Sequence, residues 1–284
     1  MKKILIPTDF SSDATHAVDY GYSLAKQLRA NVILCNVVTV PAEIPQAGLI
    51  VWPLYESDVL LKDSGDELAK LKKRLQLNSG LDGFIPEVTV INEYGMLPDV
   101  INQIINTGFV DLVVMGYHHS DGLSTFMLGN HSKRMIDAAT QTLIIVPNNA
   151  KANPVKKIAF AIDLENAQSD LGEVYKLIPL AKELNAEILI VHIQDEQHQT
   201  VHLKKWMDNL LTELSNKADY PNIHYRIVKS ENIEKGLKWL CEHGQIDMLA
   251  MHHHQHGFFD SLMNGSHTQN MAGKLSIPLM VMPA

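Results

Sequence analysis

The sequence predicts an α/β protein made of two doubly wound, Rossmann-like domains, each with a parallel five-stranded sheet. Two observations support this fold class: apolar runs of strand length alternate with segments of helical spacing, and the whole series occurs twice in the 284 residues. Strands of a parallel sheet are apolar throughout because helices cover both faces of the sheet. Right-handed connections between such strands then produce the doubly wound arrangement.

The first copy of the series begins with the strand KKILIPTD at 2–9, whose apolar run stops at Pro7. Ser11 is a typical N-cap residue, and apolar residues then recur at helical spacing as far as Arg29. The elements expected after this helix are strand 31–38, helix 56–80, strand 86–95, helix 97–107, strand 111–116, helix 129–139 and strand 142–147.

The second copy is recognised from five blocks that match the first copy in the same order. The matching blocks are 2–9 with 156–163, 25–37 with 181–193, 110–116 with 246–252, 128–135 with 264–271, and 142–147 with 278–283. Repetition of this kind indicates duplicated structural units. The elements expected in the second copy are strands near 156–162, 187–194, 223–228, 247–252 and 278–282, with helices between them, including one at 199–215.

The repeat predicts one domain at 1–149, called copy one, and a second at 154–284, called copy two. The polar segment 148–154 between them suits a linker. The closing strands 142–147 and 278–282 are expected to pair within the chain and to form a pseudo-dimer with approximate two-fold symmetry. Whether two chains also associate as a homodimer stays open.

Composition excludes several classes of protein. The chain has 24 Lys and Arg against 32 Asp and Glu, a formal net charge of −8, which argues against a general nucleic-acid binder. No apolar run approaches the ~20 residues that span a bilayer, so no membrane partner is expected.

The first residues read as a strand rather than a signal peptide. Cys35 and Cys241 are too few for a disulfide framework, so we expect buried thiols and a cytoplasmic protein.

The candidate functional residues follow the strands of copy one. In doubly wound sheets, ligands bind at the carboxyl ends of the strands, where Asp9 and Gly116 are expected. A helix opens after strand four with Gly129, Asn130, His131 and Ser132. A helix N-terminus suits an anion such as phosphate, and glycine allows close approach of the backbone. Asp9 suits the hydroxyls of a ribose or the amino group of an adenine. The alternative interpretation is structural: Gly116 and Gly129 are turn glycines, and Asp9 caps the next helix.

At these residues the chain resembles the universal stress protein family in tandem form. The family pattern is a glycine, two residues, a second glycine, nine residues, and a glycine followed by a small polar residue. In copy one its three places fall on Gly116, on His119, which departs from the pattern, and on Gly129 followed by Asn130. The strand-one aspartate of the family falls on Asp9.

The resemblance implies an adenine nucleotide as ligand, typically ATP, with ADP or AMP as alternatives, and a regulatory role in stress survival. It places the backbone that touches the adenine at Val37 or Val38. It does not imply fast catalysis, although slow ATP hydrolysis remains an alternative. In copy two the first two glycine places fall on His252 and Gln255, so only the third, Gly265, fits the pattern. We therefore expect a nucleotide site in copy one and a degenerate site in copy two.

Histidines provide a second functional hypothesis. The chain has 14 of them, and the segment Met251–Gly257 holds four. Histidine is the commonest metal ligand in proteins and can bind zinc, but the spacing here matches no structural zinc motif. A His-rich metal-binding protein and an interaction scaffold without nucleotide are therefore both kept as alternatives to nucleotide binding.

Overall fold

The structure is a computed structural model that describes residues 1–39, 54–77, 83–117, 130–162, 167–195, 203–253 and 276–283. The strands are β1 (Lys3–Pro7), β2 (Asn31–Val38), β3 (Val88–Tyr94), β4 (Leu112–Gly116), β5 (Leu143–Val146), β6 (Lys157–Ala161), β7 (Glu187–Asp195), β8 (Ile223–Ser230), β9 (Met248–His252) and β10 (Leu279–Met282). The helices are α1 (Ser12–Leu28), α2 (Leu54–Leu77), α3 (Leu97–Gly108), α4 (Asn130–Ala138), α5 (Ala167–Leu184), α6 (Leu203–Ala218) and α7 (Ile233–His243).

These elements confirm the predicted α/β fold class and its repeat. Each predicted strand is present with its ends shifted by only a few residues, and the long helix of copy one runs from Leu54 to Leu77. The helix expected between β9 and β10 falls on residues outside the described part of the chain. Across the described residues, no helix has the length and apolarity that crossing a bilayer requires.

The strands form one continuous ten-stranded sheet in the order β3-β2-β1-β4-β5-β10-β9-β6-β7-β8. Within each half, neighbouring strands are parallel. The order of the strands in the sheet changes direction between β1 and β4 in copy one and between β6 and β9 in copy two. These two reversals are the switch points at which doubly wound sheets bind ligands. The expected pair of five-stranded sheets is therefore present, and the two sheets are joined edge to edge through β5 and β10.

The junction between the copies is the antiparallel pair of β5 and β10. Leu279 lies opposite Ile145, Met280 opposite Ile144, and Val281 opposite Leu143. The predicted pairing of the closing strands within one chain is confirmed. Because each closing strand takes the other as its neighbour, neither presents an open edge to solvent there.

Two hydrophobic cores lie on opposite faces of the sheet, and each runs through both copies. One core packs α1, α2, α5 and α6 against residues such as Ile4 and Phe160. The other packs α3, α4 and α7 against residues such as Leu5 and Ala159. Successive strand residues point to opposite faces, so a strand buried on both sides must be apolar at every position. This explains the unbroken apolar runs of the sequence.

The two cysteines are buried and free, as the sequence suggested. Burial, with a smaller contribution from Glu93, raises the pKa of Cys35 to about 12. Burial, followed by Glu242, raises the pKa of Cys241 to about 12. A thiol with such a pKa is protonated at neutral pH, and the thiolate is the reactive form. Both cysteines are therefore packing residues.

Candidate functional site

The end of β1 is held rigidly against the end of β2. The Thr8 backbone N–H donates to the Cys35 carbonyl over 2.8 Å. The buried Asn36 side chain donates from Nδ2 to the Thr8 carbonyl, also over 2.8 Å. Buried amides are kept in place by such bonds because leaving the group unpaired is costly. This pair of bonds fixes the point at which the chain turns out of the sheet.

The turn that follows places Asp9 at the rim of the crevice that lies at the switch point between β1 and β4. Asp9 Oδ1 accepts hydrogen bonds from the Ser11 backbone N–H at 3.0 Å and from Ser11 Oγ at 2.6 Å. Ser11 Oγ in turn accepts from the Ala14 backbone N–H and caps α1. Phe10 between them has a left-handed backbone with φ of 64°, which is uncommon for a residue with a side chain. Asp9 thus orders the start of α1, while its exposed carboxylate stays accessible.

Gly116 ends β4 directly against the first turn of α1. A Cβ built on Gly116 would lie 2.7 Å from the Asp13 carbonyl oxygen and 3.2 Å from the Ala14 backbone nitrogen. Both contacts are with backbone atoms, which have little freedom to move aside. The structure therefore gives Gly116 a packing role, as in the structural alternative, in addition to its position in the crevice.

The crevice at the switch point of copy one holds a cavity of about 350 Å³. A separate cavity of about 440 Å³ lies at the seam between the copies, where β5 pairs with β10. The crevice cavity is lined by Pro7, Thr8, Asp9, Ser11, Asp13, Ala14, Val37, Thr39, Leu97, Met115 and Gly116. Its volume falls within the range usual for small-molecule sites, roughly 300–1,000 Å³. It lies at the carboxyl ends of β1, β2 and β4, as the fold class predicts.

The structure brings three of the predicted site residues together in this cavity: Asp9, Val37 and Gly116. Val38 has a different role, because its carbonyl accepts from the Gly95 backbone N–H at 3.2 Å and it does not line the described cavity. Of the two candidates at the end of β2, the structure thus places Val37 in the crevice.

The remaining predicted site residues belong to the loop after β4 and to α4. The backbone of Asn130, His131 and Ser132 forms the first turn of α4, and their side chains are outside the described part. His119 and Gly129 also lie outside the described residues. Their roles stay predictions.

Sequence reasoning included Thr39 among the residues that follow the strands, but it missed Asn36 and Leu97. Asn36 is the one polar residue in the central apolar stretch VILCNVV of β2, and that interruption was a readable signal. Thr39 follows the end of β2, and Leu97 begins α3 after β3. Both line the cavity only because neighbouring strand ends converge, which depends on the sheet order.

In copy two a histidine occupies the position of Gly116. The repeat aligns Gly116 with His252, and the match of 25–37 with 181–193, extended back without a gap, aligns Ala14 with Asp170. His252 Nδ1 lies 3.2 Å from Asp170 Oδ1, and the two side chains are only 6% and 2% exposed. The glycine that contacts the helix backbone in copy one is thus replaced by a buried imidazole paired with a carboxylate of the equivalent helix.

The next histidine connects the two copies. His253 Nε2 lies 3.6 Å from Asp137 Oδ1 on α4 of copy one. Among the residues that the structure describes, no three His, Cys, Asp or Glu side chains are grouped as metal ligands would be. His254 and His256, which the metal hypothesis also invokes, lie outside the described residues.

Gly116→Ala is expected to lower the free energy of unfolding by about 1–3 kcal/mol, the usual cost of overpacking a tight contact. The added methyl would press on the Asp13 carbonyl and displace the start of α1. Gly172→Ala is a matched control, since Gly172 lies on α5 with open space around its Cβ position. The control is expected to stabilise by about 0.5–1 kcal/mol. Urea denaturation followed by circular dichroism measures both; equal midpoints for the two variants would contradict the packing role.

The fold and crevice define a doubly wound α/β protein with a ligand-sized cavity at the switch point of copy one. A sequence model of the universal stress protein family matches residues 1–147 and again residues 154–283. The chain therefore belongs to the universal stress protein family, with two family matches in tandem.

Individual relatives agree with this assignment. A universal stress protein of Methanocaldococcus jannaschii is 28% identical over 150 residues, covering 53% of this chain and 84% of that protein. A universal stress protein structure from Archaeoglobus fulgidus superposes with a TM-score of 0.69 at 16% identity, covering 99% of this chain and 98% of the other. A structure of a universal stress protein from Pseudomonas aeruginosa gives 0.57 at 11% identity, covering 100% and 93%. At these identities the two structures show the fold alone.

Proposed function

We propose that copy one, residues 1–149, is a universal stress protein domain whose crevice binds an adenine nucleotide. ATP is the expected ligand, with ADP or AMP as alternatives, and the role is regulatory rather than catalytic. Copy two, residues 154–284, is the second domain, and its site is degenerate.

The observation that carries this proposal is the cavity at the carboxyl ends of β1, β2 and β4 with Asp9 at its rim. Val37 and Leu97 contribute apolar wall that suits the faces of a purine. The exposed Asp9 carboxylate offers an acceptor for ribose hydroxyls or for an adenine amino group. The cavity therefore combines an apolar lining with a few polar groups, as small-molecule sites usually do.

The phosphates are expected near the start of α4. Because β4 and β5 are parallel and α4 connects them, α4 begins at the edge of the sheet where β4 ends. Its first turn, at Asn130, His131 and Ser132, offers backbone N–H groups without partners inside the helix. This is the same edge as the cavity, so the nucleotide would extend from Asp9 toward α4.

The buried pair of His252 and Asp170 supports a degenerate site in copy two. These side chains fill the position at which copy one presents only the backbone of Gly116 to α1. A ligand entering the equivalent crevice would meet an imidazole where backbone approach is needed. We therefore expect one nucleotide per chain.

Isothermal titration of the full chain with ATP tests the proposal, and one bound nucleotide per chain is the expected result. Asp9→Asn is expected to weaken ATP binding about tenfold, since a hydrogen bond to a charged group is worth roughly 1.5–3 kcal/mol. The amide keeps an acceptor for Ser11, so the start of α1 is retained. Asp63→Asn changes an exposed carboxylate on α2 and is the matched control.

Each of the other outcomes points to a named alternative. Two nucleotides per chain would contradict the degenerate site of copy two. Absence of binding would favour the nucleotide-free scaffold. Zinc retained by untagged protein through purification would favour the histidine-based alternative. Recovery of intact ATP after incubation with Mg²⁺ separates a binding protein from a slow hydrolase.

A further inference from the structure

A second cavity, of about 440 Å³, lies between α5 and the seam that joins the two copies. Its floor includes Met280 and Met282 of β10, and its helical wall includes Lys176, Leu177 and Leu180 of α5. Asp111 of copy one contributes at the opposite side. The cavity shares no residue with the crevice described above, so its function is a separate question.

The repeat identifies the residues that occupy the symmetry-related place beside α1. The alignment of 25–37 with 181–193, extended back along the helix, pairs Tyr20 with Lys176. The alignment of 110–116 with 246–252 pairs Asp111 with Asp247. The structure supports the second pairing, since Asp111 accepts from the Lys3 backbone N–H at 2.8 Å and Asp247 accepts from the Lys157 backbone N–H at 2.9 Å.

Beside α1, Tyr20 occupies the place that is open beside α5. Tyr20 is only 2% exposed and belongs to the core that runs through both copies. Burial, and then the negative charge of Asp247 across the seam, raise the pKa of its phenol. The phenol ring therefore lies inside the protein within electrostatic reach of that aspartate.

Lys176 does not fill the corresponding space beside α5. Its side chain is 69% exposed, and its Nζ lies 2.7 Å from Glu173 Oε1 on the same helix. Glu173 is itself only 8% exposed and lines the cavity. One side of the pseudo-two-fold axis thus has an aromatic ring in place, while the other has an open cavity with carboxylates at Glu173 and Asp111.

We propose that this cavity binds a small planar aromatic molecule carrying an O–H or N–H donor, seated where the Tyr20 ring lies in the symmetry-related half. Leu177, Leu180 and the two methionines contact the ring faces, and methionine side chains adapt readily to such a surface. The donor group faces Asp111 and the buried Glu173, whose carboxylates can accept further hydrogen bonds besides those from the Lys3 backbone N–H and from Lys176 Nζ. The site is independent of the nucleotide proposal.

The test uses p-cresol, which is the side chain of tyrosine as a free molecule, and toluene, which lacks only the hydroxyl. The 284-residue chain with ¹³C-labelled methionine methyl groups is titrated with each probe, with and without ATP. We expect saturable shifts of the Met280 and Met282 methyl signals, with p-cresol binding at a dissociation constant on the order of 1 mM. Nuclear Overhauser contacts between the cresol ring and these methyl groups should accompany the shifts. Toluene should bind at least roughly tenfold more weakly.

Lys176→Tyr supplies the missing ring from the chain itself. It is expected to abolish p-cresol binding and to raise the thermal midpoint. Lys238→Tyr places the same residue on the exposed side of α7 and should leave p-cresol binding unchanged. The proposal is overturned if p-cresol gives no contacts with Met280 and Met282 in the wild-type chain. Equal binding of toluene, or undiminished binding to a folded Lys176→Tyr variant, overturns it as well.

Discussion

Ile144→Asp is expected to lower the free energy of unfolding by about 5 kcal/mol or more, which is comparable to the whole stability of many domains. Ile144 is fully buried and lies opposite Met280 in the antiparallel pair that joins the copies. Truncating a buried isoleucine costs roughly 2–5 kcal/mol, and placing a carboxylate in the same apolar position adds the cost of its desolvation.

The consequence should extend beyond local packing. The core on this face of the sheet runs through both copies, so a charge at Ile144 weakens both of them at once. Separation of β5 from β10 would also expose two strand edges, which are surfaces for pairing with other chains. We therefore expect the variant to associate or aggregate in size-exclusion chromatography under conditions in which the wild-type chain does not.

Two controls separate the seam from general effects of the substitution. Ile144→Val keeps the shape and should cost only about 0.5–1.5 kcal/mol. Val90→Asp introduces the same charge on the edge strand β3, where Val90 is 43% exposed, and should change stability by about 0.5 kcal/mol or less. Urea denaturation of all three variants is the measurement. A midpoint for Ile144→Asp close to that of Val90→Asp would show that the seam does not hold the copies together.

Much of the fold was predictable because a strand that is buried on both faces is apolar at nearly every position. The segments of β2 and β7 are apolar along most of their length, and the blocks that contain them also match each other. Pairing of the closing strands was predictable from their equivalence in the repeat. The register of β5 with β10 was not predictable, because it depends on both strands together rather than on either strand alone.

The candidate site was only partly predictable, since its residues come together through the packing of elements that are far apart in the sequence. The position of Gly116 at the end of β4 was correct, but the lack of room for a side chain there, against the backbone of Asp13, depends on the packing of α1 on the sheet. The bond from Asn36 to the Thr8 carbonyl likewise joins residues of two strands. In copy two the identity of His252 was visible, whereas its pairing with Asp170 depends on the packing of α5 beside the end of β9.

Removing either partner of the pair formed by His252 and Asp170 is expected to lower the free energy of unfolding by about 1–3 kcal/mol, the usual cost of a lost buried hydrogen bond. The relevant variants are His252→Ala, Asp170→Ala and the double variant. Because each single substitution deprives a buried polar side chain of this bond, the effects should not add. The double variant should be less destabilised than the sum by about 0.5–3 kcal/mol.

This cycle tests why copy two departs from copy one. Asp170→Ala restores the residue type of Ala14, and removal of the imidazole moves position 252 toward the glycine of copy one, so the double variant approaches the copy-one arrangement. His224→Ala, on the exposed side of β8, is the control for loss of a histidine and should change stability by about 0.5 kcal/mol or less. Additive single effects would mean that the two side chains are buried side by side without depending on each other. A strong coupling would instead mean that His252 and Asp170 act as a unit at the positions where copy one has glycine and alanine, in line with the proposed degenerate site of copy two.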